Sequence, residues 1–152
     1  MMGDPNDLKS IAILRELTDL QLEKIAQIAL IKEFGAGDYI FREGDEAKHL
    51  YSVIDGKVGL EIEKDSNTRV LIDTVARGET LGFSAMVEME ERKYTTHAKA
   101  ITRTRLFAWR AADLEKLFHE DCGLGLTFMK GIARIVKTRL QVRNVQFLDI
   151  YK

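Results

Sequence analysis

Apolar positions change their spacing twice along this chain, and the changes divide it into three zones. Over residues 8–31 they recur at helical intervals, with Leu22, Ile25, Ala26 and Ala29 on one face, which predicts a helical zone with a buried stripe. Thr18-Asp19-Leu20-Gln21 fits a capping box, in which the Thr18 hydroxyl takes an orphan amide and Gln21 reaches back to the Thr18 amide. Over residues 32–109 short runs rich in β-branched and aromatic residues take over. They are Tyr39-Ile40-Phe41, Leu50-Tyr51-Ser52-Val53-Ile54, Lys57-Val58-Gly59-Leu60-Glu61-Ile62-Glu63, Arg69-Val70-Leu71-Ile72 and the stretch 98–109. Gly35-Ala36-Gly37-Asp38, Gly44-Asp45, Asp55-Gly56, Ser66-Asn67 and Arg77-Gly78 punctuate them as turns. Asp55-Gly56, between two apolar strands, predicts a hairpin because glycine accepts the positive φ of a tight turn. Many short strands with frequent turns imply a barrel or a two-sheet roll.

The third zone, residues 113–144, is helical again and divides in two: a short helix over 113–119 and a longer one from Gly123 to about Asn144. On the longer helix Met129, Ile132, Ala133, Val136 and Leu140 form one apolar stripe, which Phe128, Ile135 and Val142 widen. Docking on one sheet uses less apolar width than this, so the expectation is that part of the helix meets a second copy of the chain. One-sided packing on its own roll is the alternative. Lys130, Arg134, Lys137, Arg139 and Arg143 give the same helix a cationic side, read as a solvated face or as a docking surface for a larger effector protein.

Composition narrows the function without naming it. A chain of 152 residues is expected to form a single domain over 1–152 with a core of its own. A formal net charge of −1 gives no electrostatic case for nucleic acid or an anionic membrane. The apolar runs are too short to span a bilayer and Met1-Met2-Gly3-Asp4-Pro5 lacks a signal-peptide pattern, so a cytoplasmic location is expected. The single cysteine, Cys122, excludes an internal disulfide and is read as a small residue beside a helix start. His49, His97 and His119 show no ligand spacing, so no metal site is expected. No nucleophile elbow, Walker loop or zinc-protease helix is present, and the chain is not expected to be an enzyme.

The order of helix, roll and two helices, with these particular turns, resembles the cyclic-nucleotide-binding domain family of catabolite-activator regulators, protein kinase A regulatory subunits and nucleotide-gated channels. The resemblance is carried by Leu17-Thr18-Asp19, by Phe34-Gly35-Ala36-Gly37-Asp38-Tyr39-Ile40, and above all by Arg42-Glu43-Gly44-Asp45 followed by Leu50 through Val58. Gly37, Gly44 and Gly56 are read as scaffold at turns, with no binding role. The resemblance implies a mainly β fold with flanking helices, a double-stranded β-helix or jelly-roll-like β-roll behind N-terminal helices and ahead of two C-terminal helices. The DNA-reading helix-turn-helix of the transcription-factor relatives would follow the last helix, so no direct DNA binding is expected within this chain.

In the family a short cassette cradles the nucleotide phosphate, with amides at a helix start, an arginine on the phosphate and a glutamate on the ribose. Here Gly78-Glu79-Thr80-Leu81 matches the lead-in, so the cassette opens at Gly82 and Glu79 belongs to the preceding turn. Phe83 occupies the position of the family glutamate, while Ser84 and Ala85 suit a tight helix start. Two registers place the arginine differently. Counting forward from Gly82 selects Arg92, whereas counting back from the strand at His97, with Thr95 and Thr96 as its two small positions, selects Tyr94 and leaves Arg92 and Lys93 just upstream. The strand register carries more weight, since loops absorb an extra residue cheaply. Glu88, Glu90 and Glu91 add carboxylates beside this segment, read as a solvated acidic turn.

The resemblance thus implies a ligand-sensing module. Its ligand-binding residues would be Gly82, Phe83, Ser84, Ala85, Arg92, Lys93, Tyr94, Thr95 and Thr96, taking a small anion such as cAMP or cGMP. The competing reading is a structural or protein-interaction module in which Phe83 and Tyr94 fill the old pocket.

Overall fold

Two apolar faces on the same strand organise this molecule. The structure, a computed structural model, describes residues 5–151; the start of the chain, where a signal-peptide pattern was sought, lies outside the described residues. Strands β1 (Leu30–Phe34), β8 (Thr104–Arg110), β3 (His49–Asp55) and β6 (Thr80–Leu81) form one antiparallel sheet in the order β1-β8-β3-β6. Strands β2 (Tyr39–Phe41), β7 (His97–Ala100), β4 (Lys57–Asp65) and β5 (Thr68–Ala76) form a second, in the order β2-β7-β4-β5. Tyr51 and Val53 of β3 and Leu106 and Ala108 of β8 pack with Phe41, Val58, Leu60, Val75 and Ala98 of the second sheet, which makes the interior of the roll. The alternate residues Leu50, Ile54, Phe107 and Trp109 pack instead with residues of the helices. Period-two alternation therefore sends successive side chains of β3 and β8 into two different cores.

Helices close the outer face of the first sheet. They are α1 (Pro5–Lys9), α2 (Asp19–Gln27), α3 (Ala111–Glu120) and α4 (Cys122–Ile150), with a 3-10 turn at Ala12–Leu14. The capping box is formed as expected: Gln21 N donates to Thr18 Oγ1 at 3.2 Å and Thr18 N to Gln21 Oε1 at 2.9 Å. Ile25, Ala26 and Ala29 are buried, and Trp109 Nε1 donates to Ile25 O at 3.1 Å, binding sheet to helix. No helix among the described residues is long and apolar enough to cross a membrane.

Four sequence expectations are corrected. The helical zone 8–31 is neither continuous nor that long: its helices are separate, and Leu30 and Ile31 belong to β1, paired with Ala108 and Phe107. The apolar period there continued past Gln27 because an edge strand covering the helical core also needs apolar residues. Asp55-Gly56 is not a hairpin turn. It carries the chain from one sheet to the other, with Gly56 at φ 100° and its Cα so close to Arg103 O that a Cβ would lie 2.4 Å from that oxygen. The true hairpin turn is Ser66-Asn67, between the paired strands β4 and β5. The stretch 98–109 is two strands, broken at residues 101–103.

The last helix differs most. It runs on to Ile150, beyond the expected end near Asn144. Leu124, Phe128 and Ile132 are its buried line; Ala133 is exposed, as are Val136 and Leu140 to 38% and 59%. The predicted stripe is thus split between the helical core and a second face that turns toward the roll.

Candidate functional site

The site grows from β6. Thr80 and Leu81 pair with Ser52 and Tyr51 of β3, and a buried Ser52 Oγ to Thr80 Oγ1 hydrogen bond of 2.8 Å locks that register. Gly82 then turns left-handed at φ 80°, where a side chain would be strained and its Cβ would press His49 O at 3.1 Å. The turn opens a 3-10 segment, Phe83–Met86, closed by the Ala85 N to Gly82 O bond. Glu79 serves the turn before it, accepting from Ala76 N at 3.1 Å, as the sequence implied.

On the other side, Tyr94 is clamped by backbone. Its N donates to Asp45 O and its O accepts from Gly44 N, both at 2.9 Å, so the Arg42-Glu43-Gly44-Asp45 turn holds it in place. Its ring stacks on Phe41 at 3.8 Å, and its hydroxyl donates to His49 O at 2.6 Å while accepting from His49 N at 3.1 Å. Burial pushes the phenol pKa well above its ordinary range, against the opposing pull of the His49 hydrogen bond.

Between these two segments and α4 lies a cavity of about 250 Å³. Gly82, Phe83, Ser84, Tyr94, Thr95 and Thr96 line it from the roll, with Phe41 and Leu60 behind them. Val136, Arg139, Leu140 and Arg143 line it from the helix. Six of the nine sequence-derived site residues therefore line one cavity.

The other three do not line it. Ala85 is fully buried, and its carbonyl accepts from Arg92 at 3.3 Å. Arg92 turns to Glu115 of α3, 2.8 Å away, and lies in a different surface depression with Lys48, His49 and Arg110. Lys93 bridges to Glu46 through its backbone and pairs its ammonium with Glu91 at 3.7 Å. No residue of the acidic run Glu88, Glu90 and Glu91 reaches the cavity wall.

What the sequence reading missed is the helix wall. Val136, Arg139, Leu140 and Arg143 follow at i, i+3, i+4 and i+7, the spacing of one helical face, and this was the signal that joins them. The Arg139 side chain is 15% exposed, donates to Thr80 O at 2.7 Å, stands 3.8 Å from Asp73, and lies 5.3 Å from the Phe83 ring centroid. Burial lowers its pKa while Asp73 and Glu79 support the charge. It is thus no part of a solvated face. Nearby, Gln146 Nε2 donates to Ile72 O at 2.9 Å, a second tie between α4 and β5.

Known proteins share this fold. Residues 31–121 match the pattern of the cyclic nucleotide-binding domain. Human cGMP-dependent protein kinase 2 is 31% identical over 88 residues, which are 57% of this chain and 12% of the kinase. A candidate potassium channel protein of Rhodopseudomonas palustris is 30% identical over 73% of this chain and 26% of its own length, so the chain spans a minor part of both relatives. Among solved structures, a candidate cyclic nucleotide-binding protein from Geobacter metallireducens GS-15 superposes with a TM-score of 0.78 at 29% identity, over 91% of this chain and 99% of that one. A cyclic nucleotide-binding domain from Methylobacillus flagellatus reaches 0.86 at 14% identity, over 98% and 86%, a likeness of fold. The match begins within β1 and ends at Asp121, taking in both sheets, the Gly82 turn and α3, and on that ground the chain belongs to the cyclic nucleotide-binding domain family.

Proposed function

We propose that this chain is a non-catalytic, cytoplasmic sensor or regulatory module that takes a small anionic ligand, with cAMP and cGMP as the first candidates, in the cavity between the roll and α4. The observation that carries the reading is that the cavity has two walls of different origin, the Gly82 and Tyr94 segments of the roll and one face of the last helix. A ligand seated there touches both, so its binding energy depends on where α4 lies. This is the condition for a ligand to shift a helix between two positions. Calorimetric titration of the folded chain with cAMP and with cGMP tests it. Saturable heat supports the reading, and none at millimolar nucleotide ends the nucleotide version.

A protein-interaction module is the second reading, favoured by one observation: Tyr94 is stacked on Phe41 inside the roll, and Phe83, which the resemblance aligns with the family glutamate, lines the same cavity. In either reading we assign the exposed far end of α4, with Phe147 57% and Ile150 77% exposed, to pairing with a second copy of the chain. Sedimentation over a concentration series checks that assignment. A strictly monomeric chain would redirect the surface to a larger effector protein.

A further inference from the structure

We infer that the positive charge that captures the ligand in this chain comes from the last helix, through Arg139 and Arg143, and that the ligand is a small anion with an aromatic or apolar body. The inference rests on the ligand-binding reading above and names the residues that act in it.

The roll side of the cavity offers hydroxyls and no cation. Ser84, Thr95 and Thr96 line it, whereas Arg92 is committed to Glu115 and the Ala85 carbonyl, and Lys93 to Glu91. The helix side offers two arginines one turn apart, Arg139 and Arg143, on the same wall. Like charges at this spacing oppose helix formation, so an anion between them relieves a cost that the empty wall retains. Among the described residues no carboxylate lines the cavity. Asp73 offsets part of the Arg139 charge from outside, and the Thr80 carbonyl aims the guanidinium. Arg143 has no ion-pair partner among the described residues and keeps its charge for a ligand.

A fixed, partly neutralised arginine beside an uncommitted one suits a phosphate-like group, which accepts from several guanidinium donors at once. Phe41, Phe83 and Tyr94 then supply rings for the rest of the ligand. Both arginines lie beyond Asp121, where the family match ends, so this assignment is not carried by the family pattern. It also explains how the cavity holds an anion with Arg92 turned away.

The test is calorimetry on the full chain with three probes, cAMP, cGMP and phenyl phosphate, using Arg143→Gln, Arg139→Gln and Arg92→Gln with folding checked by circular dichroism. Whichever probe binds should bind about tenfold or more weakly to Arg143→Gln and to Arg139→Gln, the loss expected for a charge-assisted contact, and within about twofold of wild type to Arg92→Gln. Arg143 is exposed and its side chain has no hydrogen bond or ion pair among the described residues, so Arg143→Gln decides the matter even where Arg139→Gln is unstable. Unchanged affinity in Arg143→Gln, or loss confined to Arg92→Gln, overturns the inference. Phenyl phosphate binding that requires Arg143, with no heat from either nucleotide, removes the nucleotide reading and leaves this one standing. Absence of binding by all three probes removes both.

Discussion

Arg92 and Glu115 form an ion pair at 2.8 Å, and that pair joins the loop after the cassette to helix α3. The same guanidinium donates to Ala85 O, so it braces the cassette from outside the cavity. Arg92→Ala should therefore act on stability more than on binding. The pair is partly exposed, with side chains 27% and 46% accessible, so its loss should cost no more than about 1 kcal/mol. Urea unfolding of the variant measures this, and a larger loss would mean that the Ala85 contact dominates.

The Trp109 indole is fully buried and spends its one donor on Ile25 O. Trp109→Phe keeps much of the ring volume but leaves that carbonyl without its indole donor. We expect a loss of about 1–3 kcal/mol, the usual penalty for stranding one buried polar group, with additional loss from the smaller ring. Equilibrium denaturation followed by far-ultraviolet circular dichroism gives the value directly.

Tyr94 makes stability depend on pH in the alkaline range. Its phenol pKa is raised in the folded protein, so both states are protonated and its contribution is complete below about pH 10, the unfolded value. As the pH rises further the unfolded chain releases the proton first, the folded state binds more protons, and stability falls until the folded pKa is passed. Tyr51 is shifted in the same direction and adds to the slope. Wild type should lose stability above about pH 10 more steeply than Tyr94→Phe. Melts at stepped pH compare the two; parallel slopes would contradict the buried hydroxyl.

Gly56 is the crossing point between the sheets. A Cβ there would meet Arg103 O at 2.4 Å and Thr104 Cα at 2.7 Å, at a φ of 100° that side chains rarely adopt. Gly56→Ala should destabilise by about 2 kcal/mol or more, since backbone on both sides has to move. Gly37, also at positive φ, has nothing within 4 Å of its Cβ position, so Gly37→Ala should cost about 1 kcal/mol, from strain alone. Thermal melting of the two variants separates clash from strain.

Much of the fold could be read from local chemistry. The Thr18 capping box, most of the strands and the short helix before Asp121 each follow from spacing within a few residues, and all are present. Strand β1 was hidden because Leu30 and Ile31 prolong an apolar run that suits a helix as well as an edge strand. The Asp55-Gly56 turn was recognised, but its partner strands were not: a turn signal tells where the chain bends and not which strands bond across the bend.

The candidate site divides along the same line. Gly82, Phe83, Ser84, Tyr94, Thr95 and Thr96 were legible because they lie in two short segments whose order and register the sequence carries. The exclusion of Arg92 was not legible, because it depends on Glu115, 23 residues away on another element. Arg139 was equally out of reach: its hydrogen bond to Thr80 O spans 59 residues and forms only when α4 is laid against β5 and β6. What the sequence alone determined were the alternating strands and the turns, set by side-chain period and by glycine conformation, while the cassette was placed by the family resemblance. Which charges enter the cavity was decided by tertiary structure, because a guanidinium on a long side chain goes to the nearest acceptor, and folding chooses that acceptor.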